Sequence, residues 1–566
     1  LSLHDALPIL VYILDRFAVS DKAYHEISMK TDDLPSKSLI RHCRDEMNAR
    51  AEMHRTPGNV QGAYVSVQSE IVNAIRRSEE LRCENKIHVK FSGDGTKVGR
   101  VKSFINLTIS FPQSKFPLAQ RTIAVINCSE SYEIVKQACA PIFEELNSLA
   151  TAGKIEVDGR EFNLDIIFGS DMKFINLVLG LGGATGDFAC PWCKVRKEDR
   201  GNTDRQWDFF HSKDMFRTLS DIDSCAMSSK KLFGVKNQPL LRIEPSHIIP
   251  DELHLLMRIF DVLLRNLIDD VKDKDDLSKL KKENANYLAT LVEKIRSCGV
   301  SFNTWQPKYG NGNIEWSSLT GDDVKKVVRE LPDKLVFVVH NDTLDKTIQI
   351  WSDFYKLYSF ICSSECETKS VEYIFEKCKS WVNSFLSLSN KRKGYNECNV
   401  TPYMHTLLYH VPYFVKTFGS LRKYSCQTVE KTNNDVKKIY QQKINRSDCT
   451  VDTLKVRKRI ELCADENLER EKRHYIKKNT EYWDNKIRET RVNKRRKILD
   501  EIFETHELFQ KSLESDKDKM AVDVKSLSDA EIKSKLFDLG VRTKVRKREK
   551  LIDMLTNALD SNGSKL

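Results

Sequence analysis

The sequence predicts an α/β protein in which a short run of strands is followed by a long, mostly helical stretch. Three observations predict it. Apolar residues alternate at Ile87, Val89 and Phe91, two further β-branched runs follow at Phe104 to Phe111 and Ile123 to Ile126, and the apolar spacing then turns to three and four residues. With 566 residues the chain has room for several domains at roughly 100 to 200 residues each. Hydrophobic residues at 40% and charged residues at 31% are too apolar a mixture for a disordered chain.

Residues 1–85 form an N-terminal region that reads as helical, with Val65, Ile71, Val72, Ile75 and Leu81 on one face. The chain begins at Leu1 rather than Met, so its first ten residues carry little weight. Residues 86–189 hold the strands. The first runs toward Gly93-Asp94-Gly95, where paired glycines let the backbone turn sharply and leave a carboxylate exposed. Ser129 is the expected N-cap of a helix through Ile134, Val135, Ala138, Ile142, Phe143 and Leu146, and a fourth strand, Phe162 to Phe168, leads to Ser170-Asp171. Residues 190–419 are too long for a connector and read as a helical insertion, clearest at Leu253 to Ile268, Asn286 to Ile295 and Thr343 to Phe360. Residues 420–500 resume a basic helical pattern, 501–525 read as a charge-dense linker, and 526–560 as helix, turn, helix.

The net charge of +11 is local: between Lys431 and Asp500 stand 21 Lys/Arg against 12 Asp/Glu, which is +9. Such a segment suits an anionic partner. Fifteen scattered cysteines do not resemble the dense framework of a small secreted domain, and a reducing compartment follows. The longest apolar run, Ala6 to Leu14, is too short to span a bilayer, so no membrane role is expected.

A central strand pair would carry Asp94 and Asp171 to the same sheet edge, where two carboxylates make a hard-cation site suited to Mg2+. Cys190-Pro191-Trp192-Cys193 can present two thiolates to a metal, although the same spacing serves redox pairs. His405 and His410 would point roughly 140° apart on a regular helix, so joint use requires a bent or terminated one, and Pro412 lies just beyond.

These blocks, in this order, resemble the Transib-like transposases and the catalytic large subunit of the V(D)J recombinase. The resemblance runs from residue 86 to about 450. It rests on Ser92-Gly93-Asp94-Gly95, Asp171 with Lys173, the Gly180 to Gly183 stretch, Cys190 and Cys193, Asp251-Glu252-Leu253-His254, His405 and His410 with Val411-Pro412, and Glu430 with Asn433 and Asn434. It implies an RNase H-like core interrupted by a zinc-binding insertion, with Asp94, Asp171 and Glu430 as Mg2+ (or Mn2+) ligands. It also implies a structural Zn2+ on Cys190, Cys193, His405 and His410. The implied activity is DDE-type DNA nicking and strand transfer by two metal ions, with double-stranded DNA as substrate, a homodimer or larger assembly, and room for an accessory protein subunit. The competing class is a transposase-derived, non-catalytic DNA-binding or chromatin protein. His254 receives no role, and Cys362 and Cys366 read as unpaired thiols.

Residues 526–560 resemble a SAP module, with Arg546 where that loop usually has Gly, and Arg542, Lys544, Arg546, Lys547 and Arg548 facing phosphates. Lys494-Arg495-Arg496-Lys497 reads as a nuclear localisation signal, a phosphate-binding face or simply a charged helix, and either functional reading places the protein in the nucleus.

Overall fold

The computed structural model describes residues 3–465 and 527–563, apart from 32, 100–101, 115–119, 231, 281–285, 308–312, 445, 544 and 546. Its centre is a seven-stranded mixed sheet, built from β1 (His54–Arg55), β2 (Gly62–Tyr64), β3 (Lys86–Val98), β4 (Lys102–Ser110), β5 (Gln120–Ile126), β6 (Lys154–Val157) and β7 (Arg160–Phe168) in the order β1-β2-β5-β4-β3-β7-β6. The expected meander is present, since β3 pairs antiparallel with β4 and β4 with β5. β7 joins β3 in parallel, from Lys86 opposite Asn163 to Phe91 opposite Phe168. β5 is buried along its whole length, and its second half, Ile123 to Ile126, therefore reads as a continuous apolar run rather than an alternation.

Three strands depart from the expected pattern. β1 and β2 lie within the region expected to be helical, and two or three residues are too few to show a period; β2 is held by its partner β5. β6 forms a hairpin with β7 through Asp158-Gly159, both at positive φ, the combination a two-residue hairpin turn requires. Gly93 and Gly95 also differ from expectation. They sit inside β3, paired with Leu107 and Ile105, and make no turn.

The helices that precede the fourth expected strand are α1 (Leu3–Arg16), α2 (Asp21–Ser28), α3 (Lys37–Ala49), α4 (Val67–Arg77), α5 (Glu79–Cys83), α6 (Tyr132–Ala138) and α7 (Ala140–Ala152). The expected single helix after β5 is thus two, and it starts after Ser131 rather than Ser129; Pro141, lacking an N–H, opens the second. α8 (Met172–Val178) follows β7. The insertion then supplies α9 (Leu219–Met227), α10 (Glu252–Leu280), α11 (Tyr287–Arg296), α12 (Gly321–Glu330), α13 (Leu344–Ile361), α14 (Val371–Leu386), α15 (Pro402–His405) and α16 (Val411–Phe418), and it is largely helical as expected. α17 (Gln427–Gln442) and α18 (Cys449–Asp465) return to the sheet.

One hydrophobic core runs without a break from the sheet into the insertion, through Phe91, Phe168 and Phe174 to Leu256, Phe260 and Trp351. A second core joins α1 to α3 with α17 and α18, through Val11, Ile40, Met47, Ile439, Val456 and Ile460. Leu1–Arg470 accordingly form one unit, and Glu471–Leu566 a second. In the second, α19 (Asp529–Asp538) and α20 (Arg548–Gly563) pack Ile532 and Leu536 against Leu551 and Leu555; Ser528 and Glu531 form a capping box, and Gly540 at positive φ follows α19. The expected linker, 501–525, lies outside the described residues. No helix among the described residues is long and apolar enough to cross a membrane.

Candidate functional site

β3 continues past the point where β7 ends. Phe91 is its last residue opposite β7, and beyond it Gly169 N donates to Phe91 O (3.0 Å) while the Ser170 hydroxyl donates to Gly93 O. This tie brings Asp171, the N-cap of α8, beside Asp94; one oxygen of Asp171 accepts from Phe174 N at 2.7 Å. The glycines flanking Asp94 permit close approach. A Cβ at Gly93 would lie 2.3 Å from the Phe174 ring, and one at Gly95 would lie 2.2 Å from Glu130 Oε1.

α17 packs on the face of β3 and β4 that carries Asp94 and its cross-strand partner Asn106. Asn106 Nδ2 donates to Asn433 Oδ1 (2.6 Å), and Asn433 Nδ2 donates to Asp94 Oδ2 (2.5 Å). Two buried amides therefore orient the carboxylate. Glu430 lies one helical turn before Asn433, on the same face of α17. The start of α17 is held from the insertion, because Cys426 N donates to Asp251 Oδ1 (2.6 Å), and Ile249 N, two residues earlier, donates to Phe168 O (2.9 Å) at the end of β7.

The remaining oxygen of Asp251 pairs with His254 Nδ1 at 2.6 Å, leaving His254 Nε2 directed at Glu430 Oε1, 3.9 Å away. Burial lowers the affinity of His254 for a proton, but its hydrogen bond to Asp251 and the charges of Asp251, Asp171 and Asp94 raise it to about 9. Asp94 is shifted upward to about 7, first by burial and then by Glu430 and Asp171, with His254 opposing. Burial also raises Asp171, again against His254. Asp94, Asp171 and Glu430 are thus electrostatic neighbours drawn from three elements distant in sequence. Their mutual repulsion is the condition that favours a cation.

Cys190, Cys193, His405 and His410 form the metal-ligand group among the described residues whose donor atoms all lie within 4.8 Å of one another, and all four are fully buried. Cys190 Sγ is 3.4 Å from His410 Nε2 and Cys193 Sγ is 3.3 Å from His405 Nε2. The histidines share one face because Thr406–His410 is a π-helical turn, in which Val411 N donates to Thr406 O, five residues back. Pro412 lacks an N–H and would clash with Leu408 in a regular helix, and the widened turn relieves both. Burial pushes both thiols up, yet hydrogen bonding with Cys193 and the charge of His410 hold Cys190 well below the usual thiol range. Two sulfurs and two imidazoles at this spacing suit a tetrahedral ion such as zinc, with no position left for water. The cluster also braces the carboxylates, since Tyr403, two residues before His405, receives a hydrogen bond from Met172 N at the start of α8 (3.3 Å).

Several contributors carry no sequence signal that stands out. Arg217, 1% exposed, donates from Nε to Cys190 O (3.1 Å) and Cys193 O (3.0 Å) and so fixes the loop between the cysteines. Asn106 belongs in the same group, while Asp251 and His254 lie in a block that the resemblance includes but to which no role is attached. Cys362 and Cys366 are free thiols.

The basic residues divide. In α18, within the basic segment, three cations are spent inside the fold: Arg457 pairs with Asp435 (2.8 Å), Lys458 with Glu70 and Glu461 (both 2.7 Å), and Arg459 with Asp15 (2.7 Å), all buried. Charge density in the sequence here reflects internal ion pairs. Lys494, Arg495, Arg496, Lys497, Lys544 and Arg546 lie outside the described residues. Arg542 and Lys547 are exposed, while Arg548 is committed to Asp529 at 2.6 Å. No family model and no curated protein matches this chain.

Proposed function

We propose that this chain is a DDE-type DNA transposase or recombinase with an RNase H-like core, in which Asp94, Asp171 and Glu430 hold Mg2+ (or Mn2+). The observation that carries the reading is the electrostatic coupling of Asp94 to both Asp171 and Glu430, with Asp94 in β3, Asp171 capping the helix after the parallel strand, and Glu430 on the helix laid across that sheet face. Bound there, divalent ions stabilise the charge that develops on the attacking and leaving oxygens of a phosphodiester.

The protein's own contributions follow from the geometry. Asn433 fixes one oxygen of Asp94, leaving the other for a ligand. Asp94, held only partly ionised near pH 7 by burial and its acidic neighbours, must ionise fully as a cation enters, so ion binding releases a fraction of a proton. His254, protonated and braced by Asp251, offers an N–H toward Glu430 that also suits a phosphate oxygen. The Cys/His cluster is a structural zinc site that fixes the segment after α8 to α15 and α16 and so returns the insertion, and with it Glu430, to the sheet. The two C-terminal helices act as a SAP-like auxiliary grip on double-stranded DNA. Paired DNA ends require two such sites, hence a dimer or larger assembly, and the nucleus is the compartment.

The test is cleavage by the full chain. Supercoiled DNA with Mg2+ or Mn2+ should be nicked by the wild type, and not by Asp94→Asn, Asp171→Asn or Glu430→Gln, each of which should still bind DNA. Unchanged nicking by all three variants would reject the assignment.

A further inference from the structure

A fourth carboxylate and a lysine lie beside the three acids, and the metal site does not account for them. Glu130 follows β5, its side chain only 9% exposed, with Oε1 lodged against Gly95 and Oε2 in an ion pair with Lys173. Lys173 stands two residues after Asp171 in the first turn of α8, its side chain 68% exposed. Placing Glu130 here is costly, since its charge adds to the repulsion on both Asp94 and Asp171. A carboxylate serving only the fold would lie more cheaply elsewhere.

Its effect is to hold one end of a long, mobile cation at the rim of the site. Such a half-exposed pair is worth on the order of 0 to 1 kcal/mol, so the ammonium can leave at small cost. A DNA phosphate offers it a stronger, charge-assisted partner. We propose that Lys173 contacts a DNA phosphate flanking the bond to be cut, and that Glu130 is the positioning residue that holds its ammonium beside Asp171 until DNA arrives. This rests on the nuclease reading above, and it adds a substrate contact that the metal chemistry does not require.

The experiment uses full-length protein and short duplexes spanning a nick mapped on plasmid DNA, with affinity measured without added Mg2+ or Mn2+ and nicking in Mg2+. Lys173→Gln, a surface change that should leave the melting temperature unaltered, is expected to weaken DNA binding about fivefold and to reduce the slope of log K against log salt by about 0.9. Lys173→Arg should restore most of the affinity. A neutral methylphosphonate at the contacted position should weaken the wild type by the same factor and have no further effect on Lys173→Gln. Glu130→Gln should tighten binding severalfold with Lys173 present and less than twofold in the Lys173→Gln background. A wild-type salt slope in Lys173→Gln, or methylphosphonate effects that add to it at every flanking phosphate, would overturn the proposal. Failure of the wild type to nick any DNA would reject the proposed function instead, while the slope without added Mg2+ or Mn2+ would still decide whether Lys173 meets a phosphate.

Discussion

Replacing Asp94 by Asn should stabilise the metal-free protein while abolishing its chemistry. Asn retains an oxygen to accept from Asn433 Nδ2 and removes a charge that burial and two neighbouring acids oppose. A folded-state value of about 7 against an ordinary 3.8 means that the folded protein holds this proton more tightly than the unfolded chain, so wild-type stability falls as pH rises through that interval. At about 1.4 kcal/mol per unit, the penalty is about 2 kcal/mol at pH 5 and about 4 kcal/mol above pH 7. Asp94 is partly covered rather than sealed, and solvent trims both figures. Denaturant unfolding at pH 5 and pH 8 in buffer without Mg2+ or Mn2+, with the zinc left in place, is the assay. Asp94→Asn should exceed the wild type at both, with the larger gap at pH 8, and Mg2+ should stabilise only the wild type. An equal gap at the two pH values, or a variant less stable at both, would refute the electrostatic argument.

Three further outcomes are expected. Elemental analysis should find one zinc per chain, and Cys190→Ser or a strong chelator should lower the melting temperature sharply, since structural zinc sites contribute on the order of 10 kcal/mol to folding; a folded protein without zinc would contradict the site. His254→Ala removes the positive charge that lowers both Asp94 and Asp171, so the acid limb of the pH profile for nicking should move to higher pH, with a rate loss on the order of a hundredfold. Deleting Ser526 to Leu566 should weaken binding to all DNA sequences alike and flatten the salt dependence, while cleavage of short duplexes at saturating concentration survives; full affinity with an unchanged slope would turn the two helices into a protein-binding element.

The long strands and long helices are legible in the sequence because their apolar periods persist. α10, α11 and α13 begin within one residue of their expected starts. What escaped depends on partners. β2 exists because β5 offers an edge, and the β6–β7 hairpin announces itself only through Asp158-Gly159. Asp94 stands out in the sequence by its two glycines, but for a reason other than the one they suggest, since they admit Phe174 and Glu130 rather than turn the chain. The Cys190–Cys193 spacing leaves a metal and a redox pair equally open, and only the family resemblance joins it to His405 and His410, whose shared use needs a bent helix that the π-helical turn supplies. Asn106 and Asn433 could not be paired in advance, because their contact requires a helix more than 300 residues away to be laid on β4. Charge alone is a poor guide: within the basic segment, α18 is packed against α1 and β5, and Arg457, Lys458 and Arg459 are taken up by Asp435, Glu70, Glu461 and Asp15.

The claim on which the rest depends is that Asp94, Asp171 and Glu430 form one divalent-ion site. A crystal of the full chain soaked in Mn2+ tests it directly through the anomalous scattering of the metal. The account predicts a peak bridged by Asp94 and at least one of Asp171 and Glu430, separate from the zinc on Cys190, Cys193, His405 and His410 and absent in Asp94→Asn. Saturating Mn2+ that leaves these three carboxylates without metal, or that binds equally well to the Asp94→Asn protein, would contradict it.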